Sequence, residues 1–258
     1  MYAAPLKLLV DPRGGMAGDM FAAALISAGA DFKILHRAMT GAASKLGTAA
    51  IAINRTADGS SQLGIDLSPH HRHLGGTEAQ AILLELFEEL NIETEYRQLG
   101  LRILDILLKA ERIAHRDGKF AHLHHHHKNG ETTFLHEAQD IVIDITGAVT
   151  GLQNLNIEPA ARLLAPVSVG GGTVKFSHGV LPVPAPAAEI ILRTYQIPWS
   201  HGPIAEELCT PTGAAILAAL NADTIQKPET DLNVLGKGQS RGSKILDIPP
   251  LKIFLSQK

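Results

Sequence analysis

The sequence predicts an α+β fold, a mixed sheet packed with several helices in one layered domain. Three observations carry that reading. Short apolar or alternating runs, such as Leu6–Val10, Ala49–Arg55 and Gln62–Leu67, have strand character. Longer stretches, above all Glu78–Leu90 and Glu95–His115, repeat their apolar residues at helical spacing. The two kinds of segment do not alternate strictly, which argues against a doubly wound parallel sheet.

Taken in order, Leu6–Val10 is a buried strand that stops at Asp11, and Asp11-Pro12-Arg13-Gly14-Gly15 is a turn. A helix over Ala17–Ala28 ends at Gly29, and a second runs from Asp31 to about Leu46. Ala49–Arg55 and Gln62–Leu67 form a hairpin around Asp58-Gly59. Thr77 is read as the cap of a helix with Leu83, Leu86, Phe87 and Leu90 on one face. The next helix aligns Leu99, Ile103, Ile106, Leu107, Ala110 and Ile113, and a third long one covers about Leu135–Leu152. Beyond it lie a strand over Leu163–Val169 and a stiff segment with Pro182, Pro184 and Pro186. Helices follow over Ala187–Thr194 and from Thr210-Pro211 to about Leu220. Two late strands lie near Leu232–Leu235 and Leu251–Leu255.

The 258 residues are 45% hydrophobic and 19% charged, with a formal net charge of −3, the composition of a soluble globular protein. No basic surplus argues for nucleic acid, and no apolar run is long enough to span a membrane. The single cysteine, Cys209, excludes an intrachain disulfide and fits a reducing compartment, so the expected location is the cytoplasm.

Thirteen histidines stand out. His70, His71 and His73 form one cluster; His122, His124, His125, His126 and His127 fill five of six positions in a loop over residues 118–130. Imidazole is a common ligand for borderline metals, so both tracts read as metal-binding rather than as plain solvated loops.

Four further constellations carry chemistry. Asp11-x-x-x-Gly15-x-x-Gly18-Asp19 sits at a strand-to-helix turn. Its glycines allow close backbone approach and its aspartates suit a cation; a plain tight turn explains the same residues equally well. On a continuous helix, His136, Glu137, Asp140 and Asp144 fall at about 0°, 100°, 40° and 80°, a shared arc. Asp144 lies among Ile141, Val142, Ile143 and Ile145, where a carboxylate is costly unless it meets a cation. His136, Glu137 and Asp144 are therefore assigned to a core metal site, with Asp11 and Asp19 on its rim. Lys175 and His178 belong to a proline-stiffened segment able to aim them at a ligand. Finally, Thr210-Pro211-Thr212-Gly213 is a clean helix start whose amides suit a phosphate, whereas Cys209 beside it reads as a buried apolar residue. No Gly-Lys-Ser/Thr ending follows either glycine loop, which disfavours a nucleotide-dependent phosphotransferase.

In this order the motifs resemble the nickel-insertion proteins of the lactate racemase cofactor pathway. The resemblance runs through Asp11 to Met20, His70-His71-Arg72-His73-Leu74, His136-Glu137, Asp144-Ile145-x-Gly147-Ala148, Gly172 to Ala187 and Thr210 to Ala215. It covers nearly the whole chain, with Phe134 standing where the family often has a histidine. It implies insertion of Ni²⁺ into a pyridinium bisthiocarboxylic acid mononucleotide, giving a nickel pincer with carbon–nickel and sulfur–nickel bonds. Asp11, Asp19, Glu137, Asp144 and His178 would act in the chemistry. Gly15, Gly18, Lys175, Thr210, Thr212 and Gly213 would hold the nucleotide, and the His clusters with His136 the metal. The family's CTP site, with Mn²⁺ or Mg²⁺, belongs to a C-terminal domain that is expected to be absent from 1–258 or supplied by a separate subunit. A non-catalytic nickel storage or delivery protein is the alternative. Nucleic-acid and membrane partners are not expected, and the oligomeric state is open.

Overall fold

The first described strand lies in the interior of the main sheet, between a parallel and an antiparallel neighbour. The computed structural model describes residues 4–67, 74–116, 134–135, 138–176, 179–224, 233–244 and 246–257. Strand β1 (Leu6–Asp11) buries Leu8, Leu9 and Val10 in succession, as a strand covered on both faces must. It is followed by helices α1 (Gly18–Ser27) and α2 (Phe32–Ser44). Asp31 caps α2, its carboxylate accepting from the Lys33 amide at 2.8 Å. The expected hairpin forms as β2 (Ala49–Arg55) and β3 (Ser61–Leu67), in register from Ala49 opposite Leu67 to Arg55 opposite Ser61.

The short strand β4 (Leu74–Gly75) feeds α3 (Gly76–Glu89), and α4 (Thr94–Arg116) follows. The cap of α3 is Gly75 rather than Thr77, because the chain enters the helix directly from β4. The two-residue strand β5 (Phe134–Leu135) pairs with β4, so α5 (Ala138–Asn154) begins after Leu135, not at it. The strand expected over Leu163–Val169 is two: β6 (Ile157–Leu163) and β7 (Val167–Gly170). Pro166, which has no N–H for a ladder, lies between them.

The proline segment forms the hairpin β8 (Thr173–Phe176) and β9 (Gly179–Pro182), outside the main sheet as proline requires. Then come α6 (Pro186–Thr194), β10 (Trp199–His201), α7 (Pro211–Ala219), β11 (Asp223–Thr224), β12 (Val234–Ser240) and β13 (Leu251–Ser256). Strand β12 runs well past Leu235; Gly236 and Gly238, poor strand formers, hide it in the sequence.

Among the described residues the main sheet has seven strands in the order β11-β6-β1-β13-β12-β3-β2. It is mixed: β1 runs parallel to β6 and antiparallel to β13. Helix α1 packs on β3, β12 and β13. Helix α5 lies behind it, against α1, α2, α3, α4 and α7, with Val142, Ile143, Ile145, Ala148, Val149 and Leu152 fully enclosed. A helix buried all round is apolar all round, which makes a carboxylate at position 144 conspicuous. The apolar stripe of α4 is buried at Leu99, Ile103, Ile106, Leu107 and Ala110, each large side chain worth about 1.5–3 kcal/mol. Tyr96 ties α4 to the sheet, its hydroxyl donating to the Ile157 carbonyl at 3.0 Å. This is the α+β layered arrangement expected from the sequence.

Candidate functional site

Three chain segments are laced together at one end of the sheet. After β1, the Gly15 amide donates to the Pro12 carbonyl at 2.9 Å, closing a turn. Gly15 has φ of +91°, and a Cβ there would lie 2.0 Å from the Leu208 carbonyl oxygen, so only glycine fits. The Met16 amide donates to Leu208 O at 2.8 Å, and the Thr210 amide donates to Met16 O at 3.0 Å. The first turns of α1 and α7 are thereby set side by side. Thr210 caps α7, its Oγ1 accepting from the Gly213 amide at 3.1 Å. Ala17, the cap position of α1, supplies no side-chain cap.

These segments, with residues 240–244, 246 and 248–250, line a cavity of about 300 Å³. Ala17, Asp19 and Met20 form one wall and Glu206, Glu207, Leu208 and Thr210 another. The third wall holds Ser240, Arg241, Ser243 and Lys244. Arg241 fixes it. Its Nε donates to Asp58 Oδ2 at 2.9 Å, and its Nη1 donates to the Leu246 and Ile248 carbonyls at 3.3 and 2.7 Å. Arg241 and the Thr56 hydroxyl, with the Ser60 amide, hold the Asp58 carboxyl well below its usual range. Lys244 Nζ meets Glu206 Oε2 at 2.5 Å across the rim.

Two carboxyls define the chemistry. Asp19, half-buried in the first turn of α1, is pushed up by burial to about 6, although the backbone amides of Met20 and Asp19 pull the other way. Asp144 on α5 is 3% exposed, and its Oδ1 has no hydrogen-bond partner among the described residues. Burial, then the charges of Asp140 and Asp19, raise its carboxyl well above the ordinary range. Gly18 makes the juxtaposition: a Cβ there would lie 2.1 Å from Asp144 Oδ2. The absence of a side chain at 18 thus lets the Asp144 carboxyl sit against the start of α1, next to Asp19. Two clustered acids, one of them with an unpartnered buried oxygen, suit a cation or a mobile proton.

The other residues singled out in the sequence are distributed as follows. Asp11 ends β1, and both its oxygens are taken by Arg13, Oδ1 from Nε at 2.8 Å and Oδ2 from Nη2 at 2.6 Å. Burial raises its carboxyl, but the Arg13 hydrogen bonds and charge outweigh it, and the net shift is downward. Asp11 is not among the cavity residues, whereas Thr210 is; Thr212 and Gly213 are buried in the first turn of α7. The close approach that Gly15, Gly18 and Gly213 permit is to Leu208, Asp144 and Met16. Cys209 is wholly buried, and burial followed by the Glu207 charge pushes its thiol up, as expected for an apolar role.

His70, His71, His73, His122, His124, His125, His126, His127, His136, Glu137 and His178 lie outside the described residues, as does the side chain of Lys175. Among the described residues no group of three His, Cys, Asp or Glu side chains is arranged to hold a metal. The third wall, with Arg241 and Lys244, and Glu206 opposite it carry no sequence signal of a site. Nothing local in Arg241-Gly242-Ser243-Lys244 signals a site; only the fold brings it to Asp19. None of the described helices is long and apolar enough to cross a membrane.

Comparison with known proteins agrees with the motif resemblance. The pattern of a family described as nickel insertion protein matches residues 8–257. A protein of Methanothrix thermoacetophila, provisionally named a nickel insertion protein, is 34% identical over 254 residues, covering 95% of this chain and 57% of its own length. Two others are named pyridinium-3,5-bisthiocarboxylic acid mononucleotide nickel insertion protein. The one from Desulfitobacterium hafniense is 32% identical, covering 94% of this chain and 56% of its own length. The one from Nocardioides sp. is 30% identical, covering 89% and 54%. The chain thus spans little more than half the length of the curated relatives it matches. No solved structure gives a significant match. With nearly every residue inside the family pattern, the chain belongs to the nickel insertion protein family.

Proposed function

We propose that this chain carries the metal-transferring part of nickel insertion into pyridinium-3,5-bisthiocarboxylic acid mononucleotide, the compound for which its Desulfitobacterium and Nocardioides relatives are named. The observation that supports this best is Asp144, a carboxyl buried among isoleucines with an unpartnered oxygen, set against Gly18 and beside Asp19. Nickel(II) is the cargo. Two carboxylates hold it through hard oxygen donors, and the thiocarboxylate sulfurs of the substrate are the softer, stronger ligands, so transfer runs downhill. When the carbon–nickel bond forms, a ring carbon–hydrogen bond breaks, the carbon keeps the electron pair and nickel stays divalent. The released proton goes to the carboxylate that the departing metal leaves behind.

The His clusters collect the metal, and His136, Glu137 and His178 complete the reading as motif residues that take part in its chemistry. CTP with Mn²⁺ or Mg²⁺ enters through a C-terminal domain or separate subunit, and the location is the cytoplasm. These parts rest on the motif resemblance.

The test uses calorimetry with Ni²⁺ on a chain lacking residues 122–127. A core site is expected to remain, weaker at pH 5.5 than at 7.5 because the ligands must be deprotonated. D144N should abolish it, and mass spectrometry should then show no nickel pincer from the nickel-free mononucleotide. Unchanged nickel affinity in D144N, or no nickel binding once the loop is gone, would refute the assignment.

A further inference from the structure

The cavity has an acidic floor, but its rim carries a cation that the structure leaves exchangeable. Among its described lining residues the cations are Arg241 and Lys244. Arg241 is committed to the fold: its guanidinium is bound to Asp58 and to the Leu246 and Ile248 carbonyls, and it holds the wall in place. Lys244 is placed differently. Its Nζ donates to Glu206 Oε2 at 2.5 Å, and both side chains are exposed, at 65% and 41%. An ion pair so exposed is weak, so a competing dianion displaces the carboxylate at little cost. The two residues also come from facing walls, Glu206 from the segment before α7 and Lys244 from the segment after β12.

The cap positions of α1 and α7, Ala17 and Thr210, both line the cavity, so two helix N-termini face the same space. The lining carboxylates Asp19, Glu206 and Glu207 oppose an anion, Asp19 in the first turn of α1 itself, which leaves the start of α7 and Lys244 as the groups that favour one. A volume of about 300 Å³ falls at the lower end of small-molecule sites. A ligand with a phosphate at one end and metal-seeking groups at the other is sorted by this charge pattern.

We propose that Lys244 is the phosphate anchor of the cavity, binding the phosphate monoester of the mononucleotide in place of Glu206. The proposal rests on the mononucleotide reading for the identity of its ligand. It assigns Lys244 an orienting role: with the phosphate at the rim, the pyridinium ring and its thiocarboxylates are turned toward Asp19.

The experiment measures equilibrium binding of two probes, ribose 5-phosphate and the nickel-free mononucleotide, to the full chain and to K244E, K244Q and E206Q. Circular dichroism and melting first confirm that each variant is folded. Both probes should bind the unaltered chain. Each should lose about tenfold or more in K244E, as removal of a charge-assisted hydrogen bond predicts, with K244Q intermediate. E206Q, which removes the competing carboxylate, should bind both more tightly by a few fold. Equal mononucleotide binding by the unaltered chain and K244E would overturn the anchor and leave the nickel reading intact. Lys244-dependent binding of ribose 5-phosphate without mononucleotide binding would keep the phosphate site and overturn the nickel reading. Binding of neither probe would overturn both, and unchanged affinity in E206Q would overturn the displacement of Glu206.

Discussion

Replacing Asp19 by asparagine should make the protein more stable, and only at the pH where the carboxyl is ionised. The ordinary value of 3.8 is raised to about 6 in the folded chain, chiefly by burial. The folded state therefore binds more protons than the unfolded state between these values. Stability falls as pH rises through that window and is fully reduced above it, the reverse of an ion-paired aspartate. A rise of this size corresponds to about 3 kcal/mol, which solvent reaching the half-buried carboxyl reduces to about half. For a chain of this length, each kcal/mol moves Tm by about 2–4 °C. D19N should thus melt about 3–6 °C above the unaltered protein at pH 7.5, and at the same temperature near pH 3.5. The asparagine cannot reproduce the charge that a divalent cation needs, so added Ni²⁺ should raise Tm of the unaltered chain and not of D19N. The assay is thermal unfolding in EDTA from pH 3.5 to 8, repeated with nickel on chains lacking residues 122–127. Parallel Tm–pH curves for the two proteins would refute the buried-acid argument.

Gly18→Ala places a Cβ 2.1 Å from Asp144 Oδ2, and should cost about 1–3 kcal/mol in urea unfolding together with core nickel affinity. Gly15→Ala combines a φ of +91° with a 2.0 Å approach to the Leu208 carbonyl, so a loss of about 2 kcal/mol or more, or failure to fold, is expected in the same assay. Arg241→Ala frees the Leu246 and Ile248 carbonyls and Asp58, and hydrogen exchange over residues 241–250 should accelerate by about tenfold. The Cys209 thiol, buried and held protonated, should react with a thiol reagent only after the chain unfolds, and prompt reaction in the folded state would contradict its placement.

What the sequence discloses follows from the range of the forces involved. The helices α3 and α4 are legible because burial of one face imposes a 3.6-residue period that no loop needs. The hairpin β2–β3 is legible because Asp58-Gly59 sets its turn. The break between β6 and β7 and the two-residue strands β4 and β5 are less so. A strand two residues long, such as Leu74–Gly75 against Phe134–Leu135, exists only because a distant partner reaches it. Thr77 looks like a cap by chemistry, yet the pairing of β4 moves the helix start to Gly76, so a tertiary contact overrides the local preference.

The site divides in the same way. Asp144 is visible in sequence because its isoleucine neighbours make a carboxylate expensive, an argument that needs only the helix itself. Its partner is not: Gly18 and Asp144 are 126 positions apart, and the glycine reads locally as part of a ligand loop. In the fold, what the glycine admits is the carboxyl of α5. The turn that the sequence offers as a ligand loop also lets a buried acid approach the first turn of α1. The charge of Asp19 is among the causes that raise the Asp144 carboxyl. The cation on the opposite rim, Lys244, stands a further hundred residues along the chain, and only the closure of β12 and β13 onto β1 brings it to the same cavity. Helix periodicity can thus point to the acid, while the placement of Lys244 at the same cavity belongs to the sheet topology.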